Sequence, residues 1–347
     1  MPPRVALCLE QTLGHRAHGQ NLEAAVANSN LLQPAIHRVQ YRDSRLHLPW
    51  ALEGSRIARA MVRGDAARYD ALLFHTQTVS LFAPSAARSA PYVVSLDATP
   101  VQVDTMGRWY RHRRSARPLE AAKAAWYRHV FRGAAALVTW SHWAAESLAT
   151  DYNVTGKPVL VAHPGAAEPF FQLPRPRPGG TRPRILFVGG DFTRKGGHDL
   201  LAAFAPLTDR AELVLVTEEA VEPLPGVTVL RDVRPGTPAQ LRAFAEADIF
   251  CLPTFGDCTP VAVGEALAAG LPVVTTAIGS NHETVPPEAG YLVEPGDVTV
   301  LQQVLGALVD DGALRERMSH AARAQAREHM DATRNAERIL ELLAGVA

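Results

Sequence analysis

Short apolar runs alternate with longer amphipathic stretches along the chain. In the first half, the apolar runs predict strands at Val5–Leu9, Ala71–His75, Tyr92–Leu96, Ala136–Thr139 and Val159–Ala162. Helical periodicity lies between them, for example over Gln20–Asn28 and Pro118–Arg132. Strands that are apolar on both faces and separated by helices are typical of parallel sheets covered on both sides.

The alternation restarts after a stretch rich in proline and glycine, residues 172–184, which neither a helix nor a central strand can accommodate. Strands are then predicted at Ile185–Val188, Glu212–Val216, Val227–Leu230, Ile249–Leu252, Val273–Thr275 and Tyr291–Val293. Helices are predicted at Gly197–Phe204, Pro238–Glu246, Val261–Ala269, Val298–Val309 and Ala313–His329. The pattern indicates an α/β protein with two doubly wound, Rossmann-like domains. In such sheets, ligands bind at the carboxyl ends of the strands. Two sheets facing each other would form a deep interdomain cleft.

The predicted domains are an N-terminal domain over residues 1–172, a linker over 173–183 and a C-terminal domain over 184–328. Residues 329–347 are predicted to form a C-terminal helix, and whether it packs back on the N-terminal domain is left open.

Charge and cysteine content narrow the possible partners. Lys plus Arg and Asp plus Glu both number 35, so the formal net charge is zero and the chain as a whole does not attract nucleic acid. No apolar run is long enough to span a bilayer. The three cysteines, without a C-x-x-C pair, favour a cytoplasmic location. A basic patch leaves peripheral contact with the inner face of a membrane open; it comprises Arg108, Trp109, Tyr110, Arg111, Arg113, Arg114 and Arg117.

Residues 247–276 carry the most chemical information. A buried strand ends at Pro253, and the loop after it leads into a helix that Thr259 is predicted to cap, with Pro260 in its first position. The free N–H groups and positive dipole end of such a helix suit a diphosphate. Asp257 precedes the helix and Glu265 lies within it, and carboxylates there can bind sugar hydroxyls.

This segment resembles the E-x7-E signature of retaining GT-B glycosyltransferases, especially glycosyltransferase family 4. The matching positions are Pro253, Glu265, Ala266, Ala268, Gly270, Pro272, Val273 and Val274. The resemblance implies that Glu265 binds the nucleotide ribose and that Asp257, which replaces the usual Glu, contacts the donor sugar. It also places Cys258, Thr259, Pro260 and Val261 around the donor.

A second element, residues 185–204, has a strand, a glycine-rich turn with Gly189 and Gly190, and the cations Arg194 and Lys195. Positioned cations stabilise a leaving diphosphate. Family 4 has an arginine where this chain has Gly190, so we expect Arg194 to take over its role, and Lys195 matches the family lysine. By the same resemblance, Asp232 and Val233 are expected near the nucleotide base, with an ordinary loop as the alternative.

The N-terminal half is expected to bind the acceptor. A glycine-bearing loop offers Gly14 for the donor. Asp97 is expected to contact the donor sugar or the acceptor, or else to stabilise the turn before Pro100. Acceptor contacts are expected from His15, His18, His75, Gln77, Ser141 and His142, most of which follow predicted strands.

The resemblance implies retaining transfer of a sugar from a nucleotide-sugar donor to an acceptor hydroxyl, with Asp257, Lys195, Arg194 and Asp97 in catalysis. No cofactor or metal ion is expected; the nucleotide sugar is a substrate. The acceptor, whether a glycan, a lipid-linked sugar or a small molecule, is left open. Two alternatives also stay open: a nucleotide-sugar epimerase of the same architecture, and a catalytically inactive nucleotide-sugar-binding relative.

Overall fold

The computed structural model describes residues 1–12, 14–41, 49–65, 68–88, 90–110, 114–174 and 182–347. The chain divides into two compact units. The first unit comprises Met1–Pro164 together with Ala332–Ala347, and the second comprises Gly165–Asp331.

The first unit contains a six-stranded sheet in which all neighbouring strands are parallel, in the order β2-β1-β3-β4-β5-β6. Its strands are β1 (Arg4–Glu10), β2 (Gln33–Val39), β3 (Ala71–His75), β4 (Tyr92–Leu96), β5 (Ala136–Thr139) and β6 (Val159–Val161). Its first six helices are α1 (His15–Ala27), α2 (Trp50–Gly64), α3 (Ala83–Ala87), α4 (Pro100–Thr105), α5 (Arg117–Gly133) and α6 (His142–Thr150).

The second unit contains another six-stranded parallel sheet, in the order β12-β11-β10-β7-β8-β9. Its strands are β7 (Arg184–Val188), β8 (Glu212–Val216), β9 (Val227–Leu230), β10 (Ile249–Leu252), β11 (Val273–Thr276) and β12 (Gly290–Val293). Its helices are α7 (Glu168–Phe171), α8 (Gly197–Phe204), α9 (Pro238–Ala245), α10 (Val261–Ala268), α11 (Asn281–Thr284), α12 (Val298–Asp310) and α13 (Gly312–His329).

The chain then returns to the first unit as helix α14 (Ala332–Val346). Ile339, Leu340 and Leu343 of α14 are fully buried and join the core formed by α1 and one face of the first sheet. Alternation along β1 supplies both faces, because Leu7 belongs to this core while Cys8 belongs to the core on the opposite face. Both faces are therefore covered, as the apolar strands indicated.

The structure confirms two doubly wound α/β domains and every strand predicted in the second half. The edge strand β2 was not predicted, since most of its side chains are exposed or half-buried and it lacks an apolar run. The second unit begins at Gly165 rather than after residue 172, because Phe170 and Phe171 pack in its core. Residues 175–181 of the predicted linker lie outside the described residues, as do Arg111 and Arg113 of the basic patch.

Candidate active site

The loops that carry Lys195 and Asp257 meet at one edge of the second sheet. Strands β7 and β10 are parallel neighbours, with Ile249 opposite Ile185, so the loops that follow them leave the sheet at the same edge. Lys195 lies in the loop after β7, and Asp257 lies in the loop after β10. The Lys195 ammonium donates a hydrogen bond to Asp257 Oδ2. The sequence-predicted cation and carboxylate are thus direct partners.

Close backbone approach fixes this ion pair. A Cβ on Gly196, whose φ is +79°, would lie 1.9 Å from the carbonyl oxygen of Pro253. A Cβ on Gly189 would lie 3.0 Å from Lys195 Cβ, so a side chain there would displace the lysine stem. Gly190, by contrast, faces open space. Gly196 therefore lets the two loops approach each other closely, while Gly189 leaves room for the stem of Lys195 within its own loop.

Arg194 holds the two loops together. Its backbone carbonyl accepts hydrogen bonds from Phe255 N (2.8 Å) and Thr254 Oγ1 (3.2 Å). Its guanidinium donates to the carbonyl oxygen of Gly256 and contacts Asp191. The arginine is buried, so these contacts position the Asp257 loop. The expected contact of Arg194 with a diphosphate stays a prediction.

The start of α10 differs from the sequence prediction. The helix begins at Val261, Pro260 occupies the capping position, and no side chain caps the helix. The prediction that Thr259 caps it was wrong, because the Thr259 hydroxyl instead accepts a hydrogen bond from Ser280 Oγ at 3.0 Å. A Cβ on Gly279 would lie 2.3 Å from the carbonyl oxygen of Asp257, so the loop after β11 packs directly against the loop that carries Asp257. Cys258 and Pro260 are buried in this packing and Val261 is half-buried.

Glu265 lies within α10 and is almost fully buried. Its Oε2 accepts a hydrogen bond from Gln240 Nε2 at 3.0 Å. Within the described part of the chain, the other carboxylate oxygen makes no hydrogen bond. Burial raises the pKa of Glu265 to about 7, and the hydrogen bond from Gln240 acts against this rise. A ligand hydroxyl that donates to the second oxygen would stabilise the charged form.

Asp232 and Val233 lie in the loop between β9 and α9. Asp232 is exposed and adopts a left-handed conformation, with φ of +61°. Val233 is half-buried against the core of the second unit. Neither side chain forms a hydrogen bond or an ion pair with Lys195, Asp257 or Glu265.

A histidine bridges two carboxylates at the edge of the first sheet. His15 Nδ1 lies 3.3 Å from Glu10 Oε2, and His15 Nε2 lies 3.3 Å from Asp97 Oδ2. Glu10 also accepts hydrogen bonds from the hydroxyl groups of Thr12, Tyr41 and Thr76. The sequence prediction did not include Glu10; its position at the end of a buried strand was the available signal.

Burial alone would raise the pKa of Glu10, but the contact with His15 and the hydroxyl donors lower it to about 2. Burial alone would lower the pKa of His15, but the charges of Glu10 and Asp97 raise it well above its usual value. The arrangement is therefore an imidazolium held between two carboxylates.

His18 and His75 form a neutral pair beside the contact of His15 with Glu10 and Asp97. His18 Nδ1 and His75 Nε2 are 2.8 Å apart, and both rings are buried. Burial first, and then the neighbouring His15, lowers the pKa of His18 to about 3; burial and the two other histidines lower that of His75 well below its usual value. The Trp140 ring packs against all three histidines, with centroid distances of 4.7–5.8 Å.

The remaining candidates of the first unit have different surroundings. The loop expected to carry Gly14, His15 and His18 ends at Gly14, because α1 already begins at His15. Ser141 caps α6 by accepting a hydrogen bond from Ala144 N. Gln77 is buried, with no hydrogen bond to its Oε1 in the described residues, and His142 is exposed. The structure therefore brings together His15, His18, His75 and Asp97, and leaves Ser141 and His142 outside that cluster.

The described residues contain neither a metal-binding cluster nor a membrane-spanning helix. In residues 1–12, 14–41, 49–65, 68–88, 90–110, 114–174 and 182–347, no group of three or more His, Cys, Asp or Glu side chains is arranged to hold a metal ion. Within the same described ranges, none of the helices combines the length and apolarity that crossing a membrane requires.

Two family models match the chain. The model described as "Glycosyltransferase Family 4" matches residues 11–167, and the model described as "Glycosyl transferases group 1" matches residues 182–311. Together they fall on both units.

Among curated proteins, the chain is similar to an MMP alpha-(1->4)-mannosyltransferase from Mycolicibacterium hassiacum, with 31% identity over 61% of this chain and 58% of the relative. It is also similar to a D-inositol 3-phosphate glycosyltransferase from Xylanimonas cellulosilytica, with 29% identity over 55% of this chain and 52% of the relative. The matches thus span little more than half the length of these relatives.

Among solved structures, the chain is similar to a sucrose-phosphate synthase from Thermosynechococcus elongatus, with a TM-score of 0.74, 14% identity and coverage of 99% of this chain and 98% of the other. The Anabaena protein HepE in complex with UDP gives a TM-score of 0.71 at 15% identity, covering 99% and 100% of the two chains. At these identities the similarity shows the fold.

Proposed function

We propose, from the premise that this chain belongs to glycosyltransferase family 4, that it transfers a sugar from a nucleotide-sugar donor to an acceptor hydroxyl with retention of configuration. The observation that carries the proposal is the direct pairing of Lys195 with Asp257 at the sheet edge from which α10 and Glu265 also extend. A cation for a diphosphate and carboxylates for hydroxyl groups are the groups that a nucleotide sugar requires.

In the proposed reaction, the bond between the sugar C1 and the diphosphate oxygen breaks while the acceptor oxygen bonds to C1 from the same face. The acceptor proton passes to an oxygen of the leaving phosphate, so the reaction needs no protein base. Lys195 stabilises the negative charge that gathers on the diphosphate. Asp257 accepts a hydrogen bond from the donor sugar, and Glu265 accepts hydrogen bonds from the ribose.

The Lys195–Asp257 ion pair has a direct bearing on this mechanism. Both side chains are largely buried, with 15% and 12% exposed, so each charge has few solvent partners. When the donor binds, the ion pair is replaced by two interactions. The diphosphate pairs with Lys195, and a sugar hydroxyl donates a hydrogen bond to Asp257. The exchange lets the site bind a negatively charged ligand without leaving either side chain as an unpaired buried charge.

In the first unit, we propose that Asp97 contacts the acceptor or the donor sugar. Its Oδ2 faces His15, and its Oδ1 makes no hydrogen bond with the described residues. The contact with the neighbouring His15 ring fixes the orientation of the Asp97 carboxylate.

We propose that no metal ion takes part, and that the protein works in the cytoplasm; its three cysteines are all free and buried. A chelator test addresses the metal directly: activity of the purified protein should be unchanged by excess EDTA. A loss that added Mg²⁺ or Mn²⁺ restores would contradict metal independence.

The central experiment is a panel of nucleotide sugars in a thermal-shift assay, followed by turnover with sugar acceptors. GDP-mannose and UDP-glucose belong in the panel, because one similar protein is a mannosyltransferase and another structure contains UDP. A ligand at about 100 times its Kd should stabilise the native protein by roughly 2.7 kcal/mol. The anomeric configuration of the product, read by NMR, tests retention. Turnover of the donor alone into an epimer would instead favour the epimerase alternative.

A further inference from the structure

The side chain of Gln240 makes two hydrogen bonds, one with the loop before α9 and one with Glu265 in α10. The sequence Thr237-Pro-Ala-Gln240 has the spacing of a capping box, and Thr237 caps α9 by accepting a hydrogen bond from Gln240 N. The side-chain Oε1 of Gln240 accepts a hydrogen bond from Gly236 N at 2.7 Å. Its Nε2 donates to Glu265 Oε2 at 3.0 Å.

These two contacts fix which way the amide faces. The backbone N–H of Gly236 can only donate, so the atom of Gln240 that meets it must be the carbonyl oxygen. The NH₂ group then necessarily faces Glu265. The side chain of Gln240 is buried, so solvent cannot replace either contact cheaply.

We propose that Gln240 is a positioning residue for nucleotide binding: it holds Oε2 of Glu265, leaves Oε1 for the ribose hydroxyls, and joins this carboxylate to the loop over residues 231–236. The inference rests on the proposed function, in which Glu265 binds the ribose. It also explains why a glutamine stands at this position. A glutamate could also accept the hydrogen bond from Gly236 N, but it would face Glu265 with a second negative charge.

The linkage has a consequence for the loop between β9 and α9. Gly236 has a φ of +77°, a left-handed conformation that favours glycine, and its N–H is held by the same amide that holds Glu265. A change in the loop therefore reaches the carboxylate through one side chain. We expect substitutions in this loop to alter ribose binding through Gln240.

The decisive variant is Gln240→Glu, which keeps the acceptor for Gly236 N and replaces only the group that faces Glu265. Gln240→Leu is the second variant, because it removes both contacts without adding charge. The chain offers a matched control in Gln102. It stands in a second Thr-Pro-x-Gln sequence, where it completes a capping box by accepting a hydrogen bond from Thr99 N, and it donates to the carbonyl oxygen of Trp143. Gln102→Glu therefore introduces a carboxylate at an equivalent buried position in the first unit.

Affinities should be measured by calorimetry with UDP and GDP, and with their 2′,3′-dideoxy analogues. We expect Gln240→Glu and Gln240→Leu to weaken binding of the nucleotide with hydroxyl groups by about tenfold or more, since a hydrogen bond to a charged group is at stake. The loss should largely disappear with the dideoxy analogue, and Gln102→Glu should bind all the probes like the wild type.

An equal loss with both kinds of nucleotide, or no loss, would show that Gln240 has only a structural role and would overturn the inference. The proposed function would survive either result, provided that wild-type protein binds the nucleotides. Wild-type protein that binds neither UDP nor GDP at millimolar concentration would count against the proposed function, and the inference would fall with it.

Discussion

Lys195 and Asp257, which lie 62 positions apart in the sequence, form an ion pair at the carboxyl edge of the second sheet. The pair forms because β7 and β10 are adjacent parallel strands, because Gly196 admits close contact between the loops that follow them, and because Gly189 leaves room for the stem of Lys195. It joins the two side chains on which the proposed mechanism most depends, and it provides the first two tests.

Lys195→Ala should lower kcat by about 100- to 1000-fold, the usual effect of removing one preorganised group that stabilises developing charge. Lys123→Ala is the matched control, because Lys123 donates to Asp104 at 2.8 Å in the first unit. Steady-state kinetics with a saturating donor would measure the effect. A kcat near that of the wild type would remove Lys195 from the mechanism.

Asp257→Ala should abolish transfer, whereas Asp257→Glu should retain part of it. The loop backbone is fixed by Arg194 and by the close approach of Gly279, so only side-chain length sets the reach of the carboxylate. A displacement of about 1 Å can cost roughly 100-fold in rate. Full activity in Asp257→Ala, with a native thermal transition, would contradict a catalytic role.

Glu265→Gln should alter how stability depends on pH. The pKa of Glu265 is about 7 in the folded protein, above its ordinary value of 4.5, so the folded state binds more protons between these values. Its contribution to stability therefore falls as pH rises from about 4.5 to 7, by roughly 3 kcal/mol for a shift of this size. Urea unfolding of both proteins from pH 4 to 8 measures this. Parallel pH profiles would show that Glu265 is not the titrating group.

Glu10→Gln should lower the pKa of His15 and destabilise the first unit. The lowered pKa of Glu10 contributes stability above about pH 4.5, and the raised pKa of His15 contributes stability below about pH 6.5. The loss of stability should thus be greatest between these values. The NMR signals of the histidine rings report their protonation states: at pH 7 in the wild type, His15 should be charged while His18 and His75 are neutral. A neutral His15 at pH 6 would disprove the bridge.

The hydrophobic pattern was sufficient to predict the two parallel sheets, because strands buried on both faces have nearly continuous apolar runs. It also predicted that Lys195 and Asp257 follow the ends of strands, although it did not predict that the two side chains pair. Edge strand β2 was missed since its mostly exposed and half-buried side chains form no apolar run. The start of α1 at His15 was missed because the polar first turn hides its periodicity.

Contacts between distant residues account for the rest. Gln240 and Glu265 are 25 positions apart, and the spacing of Thr237 and Gln240 by itself suggests only a helix cap. Glu10, Tyr41 and Thr76 belong to three separate segments that meet only in the folded sheet. Ser141 shows that a polar residue after a strand can also have a local role, since its side chain caps α6; its predicted contact with the acceptor stays a prediction.

The return of α14 to the first unit bears on how the chain folds during synthesis. The core beside α1 includes Ile339, Leu340 and Leu343, which leave the ribosome after the whole of Gly165–Asp331. The second unit is one continuous segment, so its core can form as soon as that segment has been synthesised. The first unit cannot complete its core until α14 follows, and until then the apolar face that α14 covers stays exposed. We therefore expect nascent chains that stop near residue 331 to recruit chaperones, and a fragment of residues 165–331 to fold more readily than one of residues 1–164.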